Sequence, residues 1–226
     1  MSNSASLLSG FRELDELTKG WSRSELIVVA GRPAMGKTAF TVSVAKRMAI
    51  DLGIPIAIFS LEMSKEQYMK RFEMARFQLN NAPIYIDDAD FNSRKAFGKR
   101  IKELIDNHGV QCVFVDYLQL ISVKAEDLKA LAVELNIPII ALSQLPRVID
   151  NVHNPSLSNL RGLFAEILEA DKVLFLNRPE YYHIYQNDDG EDLRGVTEVI
   201  LAKNSNGQTG TARLRFNSDL VILTDN

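Results

Sequence analysis

The residues best suited to chemistry are a glycine-rich stretch that ends in lysine and threonine. Its pattern is G-x-x-x-x-G-K-[ST], and it follows a predicted buried strand and precedes a predicted helix. The backbone N–H groups of such a loop surround phosphate groups, and the positive end of the helix favours their charge. The pattern predicts that Lys37 contacts the β- and γ-phosphates of ATP and that Thr38 binds Mg²⁺, an ordinary glycine turn being the alternative. The residues predicted to bind the nucleotide are Gly31, Arg32, Pro33, Ala34, Met35, Gly36, Lys37, Thr38 and Ala39.

A single acid interrupts the apolar run at residues 110–120. This acid, Asp116, comes at the end of a predicted strand. The carboxyl ends of parallel strands converge on the ligand crevice of a sheet, so we expect Asp116 to hold Mg²⁺ together with Thr38. An acid that merely begins a turn or a helix is the alternative.

Two further polar residues follow predicted strands. Glu62 falls in a short turn, because Ser64 and Gln67 form a capping box that starts the next helix after Ser64. A carboxylate placed near Mg²⁺ can orient and deprotonate an attacking water. Gln144 ends the run 138–144 and could report the state of the γ-phosphate. The alternatives are a surface glutamate and a strand-ending polar residue without a catalytic role.

The strands and helices that position these residues are predicted from apolar runs that alternate with segments of helical periodicity. The predicted strands are 26–30, 56–60, 112–115, 139–143 and 173–176, and the predicted helices are 38–50, 65–77, 93–107 and 125–135. This alternation is typical of an α/β fold with a mostly parallel, twisted sheet flanked by helices. The runs 198–203, 212–216 and 220–223 predict an antiparallel C-terminal hairpin edge, and the acidic stretch 185–194 predicts a solvated loop.

Length and composition favour one large folded domain. The chain has 226 residues, of which 46% are hydrophobic and 24% are charged. We expect residues 1–9 to be a linker or an expression remnant and residues 10–226 to form the domain. The only cysteine, Cys112, offers neither a disulfide nor a thiolate metal site, which suits the cytoplasm, and no apolar stretch is long enough for a membrane span. A net charge of −3 argues against a protein that coats nucleic acid but allows local binding.

Seven phrases of the sequence, taken in order, resemble the DnaB replicative helicase family within the RecA-like P-loop NTPases. The likeness runs from about residue 10 to residue 216. The phrases are SGFRELD (9–15), GRPAMGKTAF (31–40), FSLEMS (59–64), VDYLQL (115–120), ALSQL (141–145), RPEYY (178–182) and AKNSNG (202–207).

This resemblance implies a homohexameric ring that hydrolyses ATP at its subunit interfaces and moves 5′ to 3′ on single-stranded DNA. By matching motif positions, Glu62 activates water, Asp116 binds the metal and Gln144 is the sensor. Lys203 matches a basic residue that contacts the γ-phosphate of the neighbouring subunit. Primase and a helicase loader are further partners implied for a full-length protein.

The sequence departs from the family in several places. Ser205 stands where the family has an arginine finger, a residue that can be worth several orders of magnitude in rate. The segments near 76–80 and 121–125 are shorter than in the family, and the loop at 148–154 is acidic where the family's is basic. In the stretch 161–171, Arg161 and Asp171 match the family but the residues between them do not.

These departures keep two other functions open. The chain could be a ring or loader-interacting component that binds ATP and hydrolyses it weakly, which Ser205 and the acidic loop favour. It could also be another RecA-like DNA-dependent ATPase, such as a recombinase, although the phrase at 59–64 argues against that.

Overall fold

A computed structural model describes residues 6–77, 79, 81–145, 157 and 165–226. The helices are α1 (Arg12–Thr18), α2 (Lys37–Lys46), α3 (Lys65–Met74), α4 (Arg94–His108) and α5 (Ala125–Leu135). The strands are β1 (Leu26–Gly31), β2 (Ile56–Ser60), β3 (Ile84–Asp87), β4 (Cys112–Asp116), β5 (Ile139–Gln144), β6 (Lys172–Asn177), β7 (Val196–Asn204), β8 (Gly210–Asn217) and β9 (Ile222–Asp225). A π-helical turn, Arg47–Asp51, continues α2.

The nine strands of the described residues form one sheet in the order β3-β2-β4-β5-β1-β6-β7-β8-β9. The pairings from β3 through β6 are parallel, whereas β7, β8 and β9 are added in antiparallel pairs. The predicted α/β fold with an antiparallel C-terminal edge is therefore confirmed. The carboxyl ends of β1, β2, β4 and β5 lie along one edge, which we call the carboxyl edge.

Helices cover both faces of the sheet, which explains why the central strands are apolar along their whole length. On one face, α1, α2 and α3 bury side chains such as Leu14, Phe40 and Phe72. On the other, α4 and α5 bury Phe97 and Leu128. Within the described part of the chain, no helix is both long and apolar enough to cross a membrane.

The opposite edge of the sheet, which we call the amino edge, contains a buried ion pair. Lys172 Nζ lies 2.5 Å from Glu25 Oε2, and both side chains are at most 5% exposed. Asp171 accepts hydrogen bonds from the backbone N–H of Leu26 and from Lys129 Nζ. These contacts fix the start of β6 against the start of β1.

Some element boundaries differ from the sequence-based predictions. The five predicted core strands, the helix 93–107 and the three hairpin strands are found within one to two residues, and the helix at 125–135 is found as predicted. The predicted helix 38–50 is wrong at its end, because the α-helical geometry stops at Lys46 and Arg47 begins the π-helical turn. The predicted helix 65–77 is too long by three residues, and α1 and β3 were not predicted.

Candidate functional site

The glycine-rich loop connects the end of β1 to the start of α2 through left-handed backbone. Gly36 has a φ of 89° at the N-cap of α2, a conformation that favours glycine. Among the described residues, no side chain caps this helix, so its first N–H groups are available to a ligand. Arg32 and Met35 are buried in the loop, and the Arg32 guanidinium lies 4.3 Å from the centroid of the Tyr182 ring.

Lys37 folds back over its own loop. Its Nζ donates to the carbonyl oxygens of Gly31, at 3.0 Å, and Arg32, at 3.1 Å. Burial lowers the pKa of Lys37 below its ordinary value, while the negative charges of Asp116 and Glu62 act in the opposite direction. The lysine thus lies within the field of both acids.

Asp116 ends β4 and is 2% exposed. It lies level with Ser60 on the neighbouring strand, as expected for residues at the carboxyl edge. Burial is the main reason that the pKa of Asp116 rises to about 6, and the charge of Glu62 adds to this rise. A hydrogen bond from Tyr68 and the charge of Lys37 partly offset it.

Glu62 lies in the turn between β2 and α3, as predicted. The turn is held by the Leu61 N–H, which donates to the Asp116 carbonyl oxygen at 2.8 Å, and by Ser60 Oγ, which donates to the Met63 carbonyl oxygen at 2.6 Å. The predicted capping box of Ser64 and Gln67 is formed and starts α3. The Glu62 side chain is exposed and lines the same cavity as Asp116.

Gln144 ends β5 and lies level with Gly31 of β1. Its backbone is paired with the side chain of Gln119, which accepts from the Gln144 N–H and donates to the Gln144 carbonyl oxygen. Gln119 also donates to Ser143 Oγ at 2.8 Å. The segment that follows Asp116 therefore supports the backbone of Gln144.

One cavity of about 410 Å³ brings most of the predicted residues together. The predicted residues that line it are Pro33, Ala34, Gly36, Lys37, Thr38, Ala39, Glu62, Asp116 and Gln144. Gly31, Arg32 and Met35 belong to the loop but are not among the lining residues. The arrangement offers helix N–H groups and a lysine for an anion, next to oxygen ligands for a cation.

Five further residues line the cavity without having been predicted. They are Val42, Arg71, Arg178, Phe216 and Val221. The Arg178 guanidinium is hydrogen-bonded to Glu180 and lies 3.9 Å from the centroid of the Phe216 ring. Arg178 stands in one of the phrases that carried the family resemblance, and this was the one signal that could have identified it.

Lys203 does not reach this cavity. It lies on β7 opposite Val173, near the amino edge, and its Nζ donates to the Leu168 carbonyl oxygen at 2.5 Å. Ser205 follows in the turn after β7, where its hydroxyl and its N–H both donate to the Asp171 carbonyl oxygen. The acidic loop at 148–154 and the start of the stretch 161–171 lie outside the described residues.

The chain matches the protein family described as "DnaB-like helicase C terminal domain" over residues 6–78 and 72–225. It is 36% identical over 263 residues to the "Probable replicative DNA helicase" of Trieres chinensis, covering 98% of this chain and 57% of that protein. It is also 36% identical over 249 residues to "Replicative DNA helicase DnaB" of Geobacillus stearothermophilus, covering 92% and 54%. The chain thus spans little more than half the length of these curated relatives.

Two solved structures show the same fold. One, described as an "ATPase Domain", has a TM-score of 0.86 and 29% identity, with 100% of this chain and 94% of that chain covered. The structure titled "The Structure Of A DnaB-Like Replicative Helicase And Its Interactions With Primase" has a TM-score of 0.84 and 29% identity, covering 98% and 62%. The two stretches that match the family overlap at residues 72–78. This overlap lies at the segment near 76–80, which we expect to be shorter than in the family.

Proposed function

The chain belongs to the DnaB-like helicase C-terminal domain family, and on that premise we propose that it is the ATP-hydrolysing motor domain of a replicative DNA helicase. It couples hydrolysis at subunit interfaces to 5′ to 3′ translocation on single-stranded DNA and to duplex unwinding. The observation that carries this proposal is the convergence of Lys37, Thr38, Glu62, Asp116 and Gln144 on one cavity.

The nucleotide is ATP, with its phosphates against the start of α2. Lys37 exchanges the carbonyl oxygens of Gly31 and Arg32 for phosphate oxygens, and the helix N–H groups of residues 37–39 donate to the same anion. Arg71, which is exposed and lines the cavity, adds a second positive charge. Phe216, Val42 and Val221 give the cavity an apolar lining that suits the base.

Mg²⁺ fits the oxygen ligands that the cavity provides. Thr38 and Asp116 both line it, and hydroxyl, carboxylate and phosphate oxygens are the ligands that this ion prefers. Burial and the negative charge of Glu62 disfavour the ionised form of Asp116, and a neighbouring cation would offset both effects. When bound, Mg²⁺ neutralises charge on the phosphate oxygens.

Glu62 and Gln144 act on the attacking water and the terminal phosphate. Glu62 accepts a proton from the water, which its position beside Asp116 and Lys37 supports. Gln144 senses the γ-phosphate, and its backbone pairing with Gln119 offers a path from the cavity to the segment after β4.

Lys203 acts on the nucleotide of a neighbouring subunit. Its place at the amino edge of the sheet, away from its own cavity, supports a role in trans and with it a homo-oligomeric ring, which we propose to be a hexamer. To reach a neighbour's γ-phosphate, Lys203 must release the Leu168 carbonyl oxygen. The ring binds single-stranded DNA. A full-length protein would also bind a primase and a helicase loader. We place this activity in the cytoplasm.

Unwinding of forked DNA by the full-length protein tests this function. We expect unwinding that requires ATP and Mg²⁺ and a free 5′ tail on the strand that the ring occupies. A fork that has only a 3′ tail is the matched control and should stay paired. Unwinding from the 3′ tail, or unwinding without ATP, would contradict the proposal.

Ser205 favours a second candidate, a ring component that binds ATP and hydrolyses it weakly. Its hydroxyl donates to Asp171 within its own subunit and it cannot replace the charge of an arginine. Ser205→Arg distinguishes the candidates: a rise in turnover of about a hundredfold or more would assign the weak activity to the missing finger. Turnover that is already fast and insensitive to this change rejects the second candidate.

A further inference from the structure

Tyr68 is a buried polar residue that the proposed mechanism does not yet use. Its side chain is fully buried in the first turns of α3, where it packs beside Phe72 with 6.0 Å between the ring centroids. Its hydroxyl donates to Asp116 Oδ2 over a long hydrogen bond of 3.4 Å. Thr41 on α2 lies near this hydroxyl, and its own hydroxyl donates to the Lys37 carbonyl oxygen at 3.3 Å. The Tyr68 hydroxyl therefore joins α3 to the end of β4, beside the start of α2.

We propose that Tyr68 is a positioning residue that orients the Asp116 carboxylate for binding of Mg²⁺. The hydroxyl donates to Oδ2, and Oδ1 would then be the oxygen available to a cation. This inference deepens the proposed function and rests on it. Ligand-orienting hydrogen bonds of this kind are commonly worth about 10- to 100-fold in metal affinity.

The surroundings of Tyr68 make its placement rigid. The capping box of Ser64 and Gln67 fixes the start of α3 immediately before it, and the same turn carries Glu62. The Leu61 N–H ties that turn to the Asp116 backbone at 2.8 Å. Tyr68 is therefore held by the connection that sets the distance between the two acids, and loss of its hydroxyl leaves the ring and this connection in place.

The test compares Tyr68→Phe with Tyr85→Phe. Tyr85 is on β3, stacked on His108 and outside the cavity, so it is a matched control for loss of a hydroxyl. Binding of a non-hydrolysable ATP analogue is measured in EDTA and over a Mg²⁺ titration. For Tyr68→Phe we expect the half-saturating Mg²⁺ concentration to rise about tenfold and the affinity in EDTA to change less than about twofold. Tyr85→Phe should change neither quantity.

A double-variant cycle separates positioning from a merely structural role. In the Asp116→Ala background, Tyr68→Phe should give no further change in Mg²⁺ dependence, because the hydroxyl acts through this carboxylate. The inference is overturned, and the proposed function is not, if the wild-type protein shows Mg²⁺-dependent binding but Tyr68→Phe leaves the Mg²⁺ titration unchanged. The same conclusion follows if Tyr68→Phe shifts the titration equally in the wild-type and the Asp116→Ala proteins. Absence of Mg²⁺-dependent binding in the wild-type protein overturns the proposed function and the inference with it.

Discussion

Lys37 and Asp116 share the free-energy cost of burial at the carboxyl edge. Burial lowers the pKa of the lysine and raises the pKa of the aspartate, although each is attracted to the other. Glu62 adds a second negative charge that makes the Asp116 carboxylate still less favourable. A site with these opposing charges is stabilised by a ligand that carries both phosphate and a cation.

The raised pKa of Asp116 predicts a stability that depends on pH. An acid with a pKa of about 6 in the folded chain, above its ordinary value of 3.8, binds more protons when folded. The stability that this proton binding gives to the folded chain is complete below the ordinary pKa of 3.8 and is lost as pH rises through about 6. In EDTA, Asp116→Asn should therefore raise the free energy of unfolding at about pH 7 by on the order of 1–3 kcal/mol, and by much less at about pH 4. Urea unfolding of both proteins at the two pH values measures this, and a variant less stable than wild type at the higher pH would refute it.

Glu62 is expected to affect the chemical step and not the binding of nucleotide. Glu62→Gln removes the base but keeps the size of the side chain, so ATP turnover should fall by about 10²- to 10⁴-fold. Glu73→Gln, on an exposed position of α3, is the matched control. Turnover and analogue binding are measured for both variants. If Glu62→Gln retains turnover near that of wild type, another group activates the water.

Local motifs made some residues of the site predictable. Lys37 and Thr38 belong to a contiguous pattern, and Glu62, Asp116 and Gln144 follow strands whose direction is fixed by the parallel fold. Arg71, Arg178 and Phe216 reach the cavity from α3, from the segment after β6 and from β8. Only Arg178 lies in one of the seven phrases shared with the family. No local pattern marks Arg71 and Phe216, so their placement depends on packing between distant elements.

At the scale of elements, the buried central strands were readily predicted because both of their faces are apolar. The edge strand β3 is only partly buried along its length, so its sequence lacks the signal of a core strand. The end of α2 was missed for a different reason. Arg47, the first residue of the π-helical turn, donates to the Gly10 carbonyl oxygen at 2.6 Å and pairs with Asp225 at 2.9 Å. These contacts are with residues near both ends of the chain, and a local sequence pattern does not show them.

The buried pair at the amino edge predicts a large loss of stability when one partner is removed. Lys172→Met leaves Glu25 buried without its cation, and the free energy of unfolding should fall by about 3–5 kcal/mol. The control is Lys102→Met, since Lys102 forms an exposed pair with Asp106 and the expected loss is below about 1 kcal/mol. Urea unfolding of the three proteins provides the measurement. Similar losses for the two variants would contradict a special role of the buried pair.

At the scale of the whole molecule, the two lysines proposed to act in hydrolysis lie at opposite edges of one sheet. Lys37 is at the carboxyl edge and Lys203 is near the amino edge, tied to Leu168 and beside the network of Glu25 and Lys172. This separation could not be derived from the motifs alone, because it depends on the antiparallel return of β7 along β6. If Lys203 acts in trans as proposed, a complete site would be formed by two subunits.

Mixing of two inactive variants tests the shared site. Lys37→Ala subunits keep Lys203, and Lys203→Ala subunits keep the glycine-rich loop. In rings formed from equal amounts of both, about a quarter of the interfaces combine the two intact parts, so part of the turnover should return. Turnover of the mixture is compared with that of each variant alone. No gain on mixing would show that Lys203 does not act across the interface.

The most direct test of the central claim is ATP turnover by Lys37→Ala with Mg²⁺, measured with and without single-stranded DNA. The control is Lys46→Ala, which alters a partly exposed lysine at the far end of α2 that is paired with Asp51. We predict that Lys37→Ala loses at least about a hundredfold in turnover, because the partly buried ammonium group proposed to contact the phosphates is removed, and that Lys46→Ala behaves as wild type. DNA-stimulated turnover retained by Lys37→Ala would contradict the assignment of this cavity as the site of hydrolysis.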